Sequence, residues 1–254
     1  MRKVFLIGMA LLACLFTAGA REGSDSTAVN GKDRLEKLEE LADKAKEKKA
    51  KKADKVFNFN VLERFGWGCH MPDGNFSERI RDNYEIWFNA FDLCLNTCGW
   101  MSITAGLDLK WDRFVAGGSY YLHPDALGDL KWDNISVQQA DYPAAGGDFK
   151  QLGSQVNLFS LSVPAALDFH ASSFVFRAGA ELVFPVTARQ KENAKYGNTS
   201  VRKEVKGVET AGWYYAPFVE VGYDGVGVYC KYIPNGIIPG IVDNVLTVGL
   251  VCGF

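Results

Sequence analysis

Three histidines, His70, His123 and His170, are the general bases that this 254-residue sequence offers near neutral pH. His170 has Asp168 and Ser172 within two residues, and His123 has Asp125 and Ser119 close by, so each has a carboxylate and a hydroxyl for a neighbour. Neither neighbourhood carries a nucleophile turn such as G-x-S-x-G. The histidines therefore read as satisfied or solvated side chains, and no residue is assigned a catalytic role. Cys69, Cys94, Cys98, Cys230 and Cys252 remain once a leader containing Cys14 is set aside. An odd number without C-x-x-C or His-rich spacing points to no disulfide framework, metal site or cofactor. Cys94 and Cys98 flank a short turn and could bridge in an oxidising compartment.

The charged residues are more telling, because they recur at alternate positions. In residues 100–112, Ser102, Thr104, Gly106, Asp108, Lys110 and Asp112 oppose Met101, Ile103, Ala105, Leu107, Leu109 and Trp111. In residues 173–186, Arg177, Gly179 and Glu181 oppose Phe174, Phe176, Leu182 and Phe184, and in residues 211–223 Glu220 and Gly222 oppose Val219, Val221 and Tyr223. A period of two is that of a strand. Either face could be the inner one on alternation alone. Glycines beside charges suit a crowded interior, and terminal Trp and Tyr suit a membrane interface, so the apolar face is expected outside. The inward face then collects Arg64, Asp92, Asp108, Lys110, Asp168, Arg177, Glu181, Glu220 and Lys231. A charge turned to lipid near midplane costs ~2–4 kcal/mol. These nine are predicted to form a structural interior network, with a proton or ion path as the functional alternative.

The elements that would position them are eight alternating segments, about 56–66, 84–96, 100–112, 155–168, 173–186, 211–223, 226–233 and 243–254. Short gaps, such as Asp224-Gly225, alternate with long ones at 67–83, 113–154, 187–210 and 234–242. That sorting belongs to bacterial outer-membrane barrels, with short turns and both termini in the periplasm. The predicted fold is all-β, an eight-stranded antiparallel transmembrane up-and-down β-barrel over 56–254. Eight strands enclose only enough space for side chains to fill, so a packed core is expected rather than a pore. Asn89 on the lipid face, a phase change near Glu63, and Pro164 and Pro217 inside strands fit poorly and call for bulges.

Residues 1–20 have the form of a signal peptide: Arg2 and Lys3, an apolar run from Val4 to Phe16, then Ala18-Gly19-Ala20. A rival reading takes Leu11-Leu12-Ala13-Cys14 as a lipidation box. Residues 21–55 form a charged extension with Leu35, Leu38 and Leu41 at helical spacing, expected to be a short periplasmic helix or a solvated spacer. Its lysine-rich end, 44–55, carries a net +5 and could also meet anionic headgroups or the cell wall. Residues 1–55 hold +4 of a whole-chain −2, so 56–254 carry −6. An acidic exported barrel excludes a nucleic-acid partner.

The chain resembles the small outer-membrane β-barrel proteins of Gram-negative bacteria, and more narrowly the PorT-like barrel group of Bacteroidota. The matching runs are Gly106 to Phe114, Leu161-Ser162-Val163-Pro164, Ala216-Pro217-Phe218 and Val248 to Phe254. The resemblance implies a monomer in outer-membrane lipid, handed to the barrel-assembly machinery through its terminal aromatic, Phe254. It further implies a structural or interaction protein that displays loops and docks envelope partners of a secretion or assembly system. A narrow channel or transport accessory, and a barrel-rim enzyme acting on lipid or peptide, are the other readings.

Overall fold

The computed structural model describes residues 56–254, apart from 78, 80, 118–119, 125–128, 135–148, 197–198 and 254. The expected leader at 1–20, the charged extension 21–55 with its expected helix, Ser119, Asp125 and Phe254 lie outside the described residues. Twelve strands follow in chain order: β1 (Phe57–Val61), β2 (Phe65–Pro72), β3 (Tyr84–Cys98), β4 (Met101–Val115), β5 (Tyr120–Pro124), β6 (Leu130–Asn134), β7 (Phe149–Ala171), β8 (Phe174–Tyr196), β9 (Thr199–Lys206), β10 (Tyr214–Tyr223), β11 (Val226–Ile233) and β12 (Val245–Cys252).

Eight lanes close into an antiparallel ring, β2-β3-β4-β7-β8-β10-β11-β12 and back to β2. β1 prolongs the lane of β2 along β3, β9 hangs on the outer part of β8, and β5 and β6 form a separate hairpin. One path around the ladders runs from His70 through Thr247, Lys231, Phe218, Gly179, Ala166, Thr104 and Cys94 to Asn58, twelve residues before its start. A closed eight-lane sheet with that stagger has strongly tilted strands and an interior that side chains fill. Short turns gather at one end. In the tightest, Asp224 and Gly225 have φ of 48° and 89°, the pair of left-handed conformations that a two-residue hairpin needs.

The faces are sorted along every lane. β10 alternates buried and exposed over its whole length, with Tyr214, Ala216, Phe218 and Glu220 inside and Tyr215, Val219, Val221 and Tyr223 outside. On β8 the outward apolar positions run from Phe174 to Val186. Those twelve steps at ~3.3 Å, tilted by ~40°, give a belt about 30 Å high. The belt ends abruptly and in register. Trp111 of β4 pairs with Phe159 of β7, and two residues further on Arg113 pairs with Asn157, which pairs with Arg189 of β8. At the opposite border Trp100, Phe169 and Phe176 form a run of ring contacts, and Phe174 pairs with Tyr223.

Several expectations about the strands need correction. The first lane does not stop at 66: it breaks at Leu62, whose φ is 51°, and resumes as β2 through Pro72, so 67–72 is strand and not loop. Arg64, Gly66 and Gly68 are buried as Asn58 is, and no lasting phase change follows the break. A bulge between Asn89 and Phe91 does shift the phase of β3, turning Asn89 inward instead of onto the outer face. Neither proline needs a bulge. The β4–β7 ladder carries no pairs where 163–164 face 106–107, and Pro217 pairs only with Ala180, because the β11 ladder begins at Phe218. Residues 149–154 and 187–196, read as loop, instead prolong β7 and β8 beyond the belt, and β9 and the β5–β6 hairpin lie within stretches read as loop.

Candidate functional site

The interior on the short-turn side holds two charge clusters. All nine residues singled out from the sequence are buried there, none more than 7% exposed. Nearest the turns, Arg64 reaches across from the break in the first lane, its Nη2 lying 2.6 Å from Glu220 Oε2 and its Nη1 3.9 Å from Asp92. Arg177 of β8 forks onto Asp168 of β7, its cross-strand neighbour, at 2.5 and 2.9 Å, and lies 3.8 Å from Glu220. Thr104 donates a short hydrogen bond to the same Asp168. Asn89 Nδ2 donates to both Asp92 and Asp108 at 2.9 Å, holding two carboxylates apart.

The second cluster lies at mid-height and is organised by two ammonium groups. Lys110 Nζ is 2.9 Å from Glu85, 3.3 Å from Glu181 and 3.6 Å from Asp112. Lys231 Nζ is 3.1 Å from Glu85 and 2.9 Å from Glu181. Tyr229 donates to Glu85 at 2.7 Å, and Ser162 to Glu181 at 3.1 Å. Within the two clusters four cations face seven carboxylates; Glu85 and Glu181 share both lysines and Glu220 both arginines, so the pairs are interlinked.

Glycines make room for the aromatic walls of these clusters. Gly66 lies against the Trp87 indole, and Gly68 and Gly249 lie against the Tyr229 ring, closely enough that a Cβ at any of the three would overlap it. Trp87 in turn carries the Arg64 guanidinium over its ring at 5.1 Å.

Three interior members were missed from the sequence. Glu85 is wholly buried between Lys110 and Lys231, yet period-two counting back from Asp92 puts it outside; the bulge after Asn89 reverses that. Asp112 lay on the polar face but was not assigned to the network. His70, read as part of a loop, is a buried β2 residue with Nδ1 2.7 Å from Thr247 Oγ1 and Nε2 3.0 Å from Asp112 Oδ1. His70, Glu85 and Asp112 bring one possible metal-binding atom each to within 4.8 Å of one another. The Lys110 ammonium beside Glu85 and Asp112 already supplies a cation there.

A His70–Asp112–Thr247 set has the composition of a hydroxyl-activating triad, but it is sealed. His70 stacks on Phe114 with ring centroids 4.7 Å apart, and above Phe114 begins an apolar plug. Inward residues of the ring, among them Val156, Leu158, Val183, Tyr214, Ile233 and Val245, meet Phe76, Leu122, Leu130, Val208, Ile237 and Val242 from outside the ring lanes. The other two histidines sit elsewhere. His170 contacts Ser102 at 3.1 Å, while its sequence neighbour Asp168 is engaged by Arg177. His123 on β5 pairs with Asp133 on β6 at 2.7 Å, in the hairpin beyond the ring. The five described cysteines are free thiols, Cys94 and Cys98 included.

No family model matches this chain. No curated protein matches it in sequence. Among solved structures it is similar to Ail, the attachment invasion locus protein of Yersinia pestis, at 8% identity and a TM-score of 0.32 over 78% of this chain and 95% of that one. It is similar to the outer membrane protease OmpT from Escherichia coli at 10% identity and a TM-score of 0.26, over 78% and 96%. A mutant porin of Rh. blastica matches at 11% identity and a TM-score of 0.19, over 78% and 100%. At TM-scores this low the likeness carries no inference about activity, and function is read from the chain's own geometry.

Proposed function

We propose that the chain is an integral outer-membrane β-barrel with a filled interior, a structural or interaction protein that holds its long strands and loops above the bilayer. The observation that carries this is the inverted polarity of the ring. Trp67, Trp111, Phe176, Leu182, Val219 and Leu250 are exposed, whereas eleven ionisable side chains of the two clusters are buried. In water that arrangement wastes apolar area outside; in a bilayer the same area meets hydrocarbon, and a charge is placed at lower cost in the paired interior than against lipid. A belt about 30 Å high also matches hydrocarbon thickness.

The same interior speaks against a pore. The cavity between Arg64, Trp87, Glu181 and Lys231 measures about 10 Å³, at the threshold for one water. The loop-side half is closed by the apolar plug. The finer reading, a PorT-like accessory of a secretion or assembly system in the outer membrane, monomeric, with periplasmic termini and with Phe254 read by the assembly machinery, is supported by the sequence runs named above. In planar bilayers the purified protein should insert and pass essentially no current. Steady ohmic steps would replace this reading with the narrow-channel alternative, and a protein that stays in water without detergent would remove the membrane barrel itself.

A further inference from the structure

Beyond the belt, β7, β8 and β9 continue as a three-stranded paddle whose two faces differ. The inner face is covered: Leu122 of the β5–β6 hairpin accepts hydrogen bonds there from Ser154 and Gln190 through its carbonyl, at 2.9 and 2.8 Å. The outer face continues the lipid-facing surface without a break, and it is basic. Its first rung above Trp111 and Phe159 reads Arg113, Asn157, Arg189, Lys206 across four strands. The next rung ends in Lys191 and Glu204, the one after in Asn193 and Arg202, and Lys195 follows. Six cations therefore share a face with one carboxylate, Glu204, which lies 3.7 Å from Arg189. This surface stands in an otherwise acidic region, since 56–254 carry −6.

We propose that this basic ladder binds the phosphorylated headgroups of the lipid in which the barrel sits. The inference rests on the membrane reading above. A ligand that fits must place acyl chains against Trp111, Phe159 and Leu182 and several negative charges one to three rungs higher, some 5–15 Å above the belt at ~3.3 Å per residue along tilted strands. A free anion would use the rungs but not the belt, and a zwitterionic lipid would use the belt but not the rungs. An acylated polyanion uses both, and juxtamembrane cations of this kind each strengthen attachment to anionic headgroups.

The test uses the whole folded chain in detergent micelles doped in turn with diphosphoryl lipid A, phosphatidylglycerol or phosphatidylcholine, with bound lipid counted by native mass spectrometry. Diphosphoryl lipid A should be retained best and phosphatidylcholine least. Retention should fall as salt is added, and by about fivefold for each cation removed. The Arg189→Gln/Lys191→Gln/Arg202→Gln/Lys206→Gln variant should then hold lipid A several hundredfold less well, on the order of four such factors. Only heat-modifiable, folded protein is counted. Equal retention by the unaltered chain and the folded variant, or salt-independent retention by the unaltered chain, would overturn the proposal and leave the barrel standing. Displacement of lipid A by an equal concentration of inorganic pyrophosphate would overturn the lipid assignment in favour of a free anion. An unaltered chain with no heat-modifiable form would instead remove the membrane reading.

Discussion

The two halves of the barrel interior solve one packing problem in opposite ways. On the short-turn side the ring fills itself with charge, and each member of both clusters comes from a ring strand or, for Arg64, from the break within the first lane. On the loop side the filling is apolar, and much of it is borrowed from Phe76, Leu122, Val208, Ile237 and Val242, which lie off the ring lanes. Charge demands partners at fixed distances, and a closed sheet provides fixed distances. Apolar side chains demand only exclusion of water and adequate volume, which loops of less definite geometry can supply. The boundary between the regimes is one layer thick: His70 below stacks on Phe114 above, and Lys110 lies 5.7 Å from the Tyr214 ring.

If that contrast is right, damage on the two sides should differ in kind as well as size. Lys110→Ala leaves Asp112 without its ammonium and Glu85 and Glu181 with Lys231 alone, in a sealed space, and should cost about 3–5 kcal/mol, as breaking a buried ion pair does. The heat-modifiable form should be lost or melt far earlier on a gel; a melting profile equal to that of the unaltered chain would show that the network contributes nothing to stability. Ile237→Ala should cost about 2–4 kcal/mol from the plug. Here the ring should persist while the loops loosen, so cleavage by added protease should rise with little change in the heat-modifiable shift. Loss of both together would show that the halves are one cooperative unit. Gly249→Val drives a side chain against the Trp67 carbonyl and the Tyr229 ring and should cost about 1–3 kcal/mol, read from the urea midpoint in micelles. The double variant Gly249→Val/Tyr229→Ala should regain part of that loss, which a purely backbone effect of valine would not allow.

The contrast also explains what the sequence made legible. The ring was readable because lanes such as β10 and β12 alternate in one unbroken phase, with an apolar outer face along the whole strand. Where a single extra residue intervenes, alternation misleads: the bulge after Asn89 hid Glu85, one of two carboxylates shared by both lysines. The sequence hides the end of β2 because Gly66, Gly68 and Pro72 carry little strand propensity. The small size of Gly66 and Gly68 is required by Trp87 and Tyr229, partners in other strands that local patterning does not reveal. The plug was invisible for a related reason. Ile237, Ile238, Ile241 and Val242 look like any apolar loop run, and only closure of the ring gives them an interior to enter.

The glycines at the β2–β12 seam bear on the order of events as well as on packing. Gly66 and Gly68 on one lip face Val251 and Gly249 on the other, so over these two rungs the first and last lanes of the ring meet with little inward bulk, before His70 and Thr247 follow. Trp87 and Tyr229, which occupy the space those residues leave, belong to the next lane on either side, β3 and β11. Two smooth lips can slide and correct their register before anything is wedged between them, after which the rings act as latches. The place where the first and last lanes of the ring must find each other is thus the place where a mistaken pairing is easiest to undo.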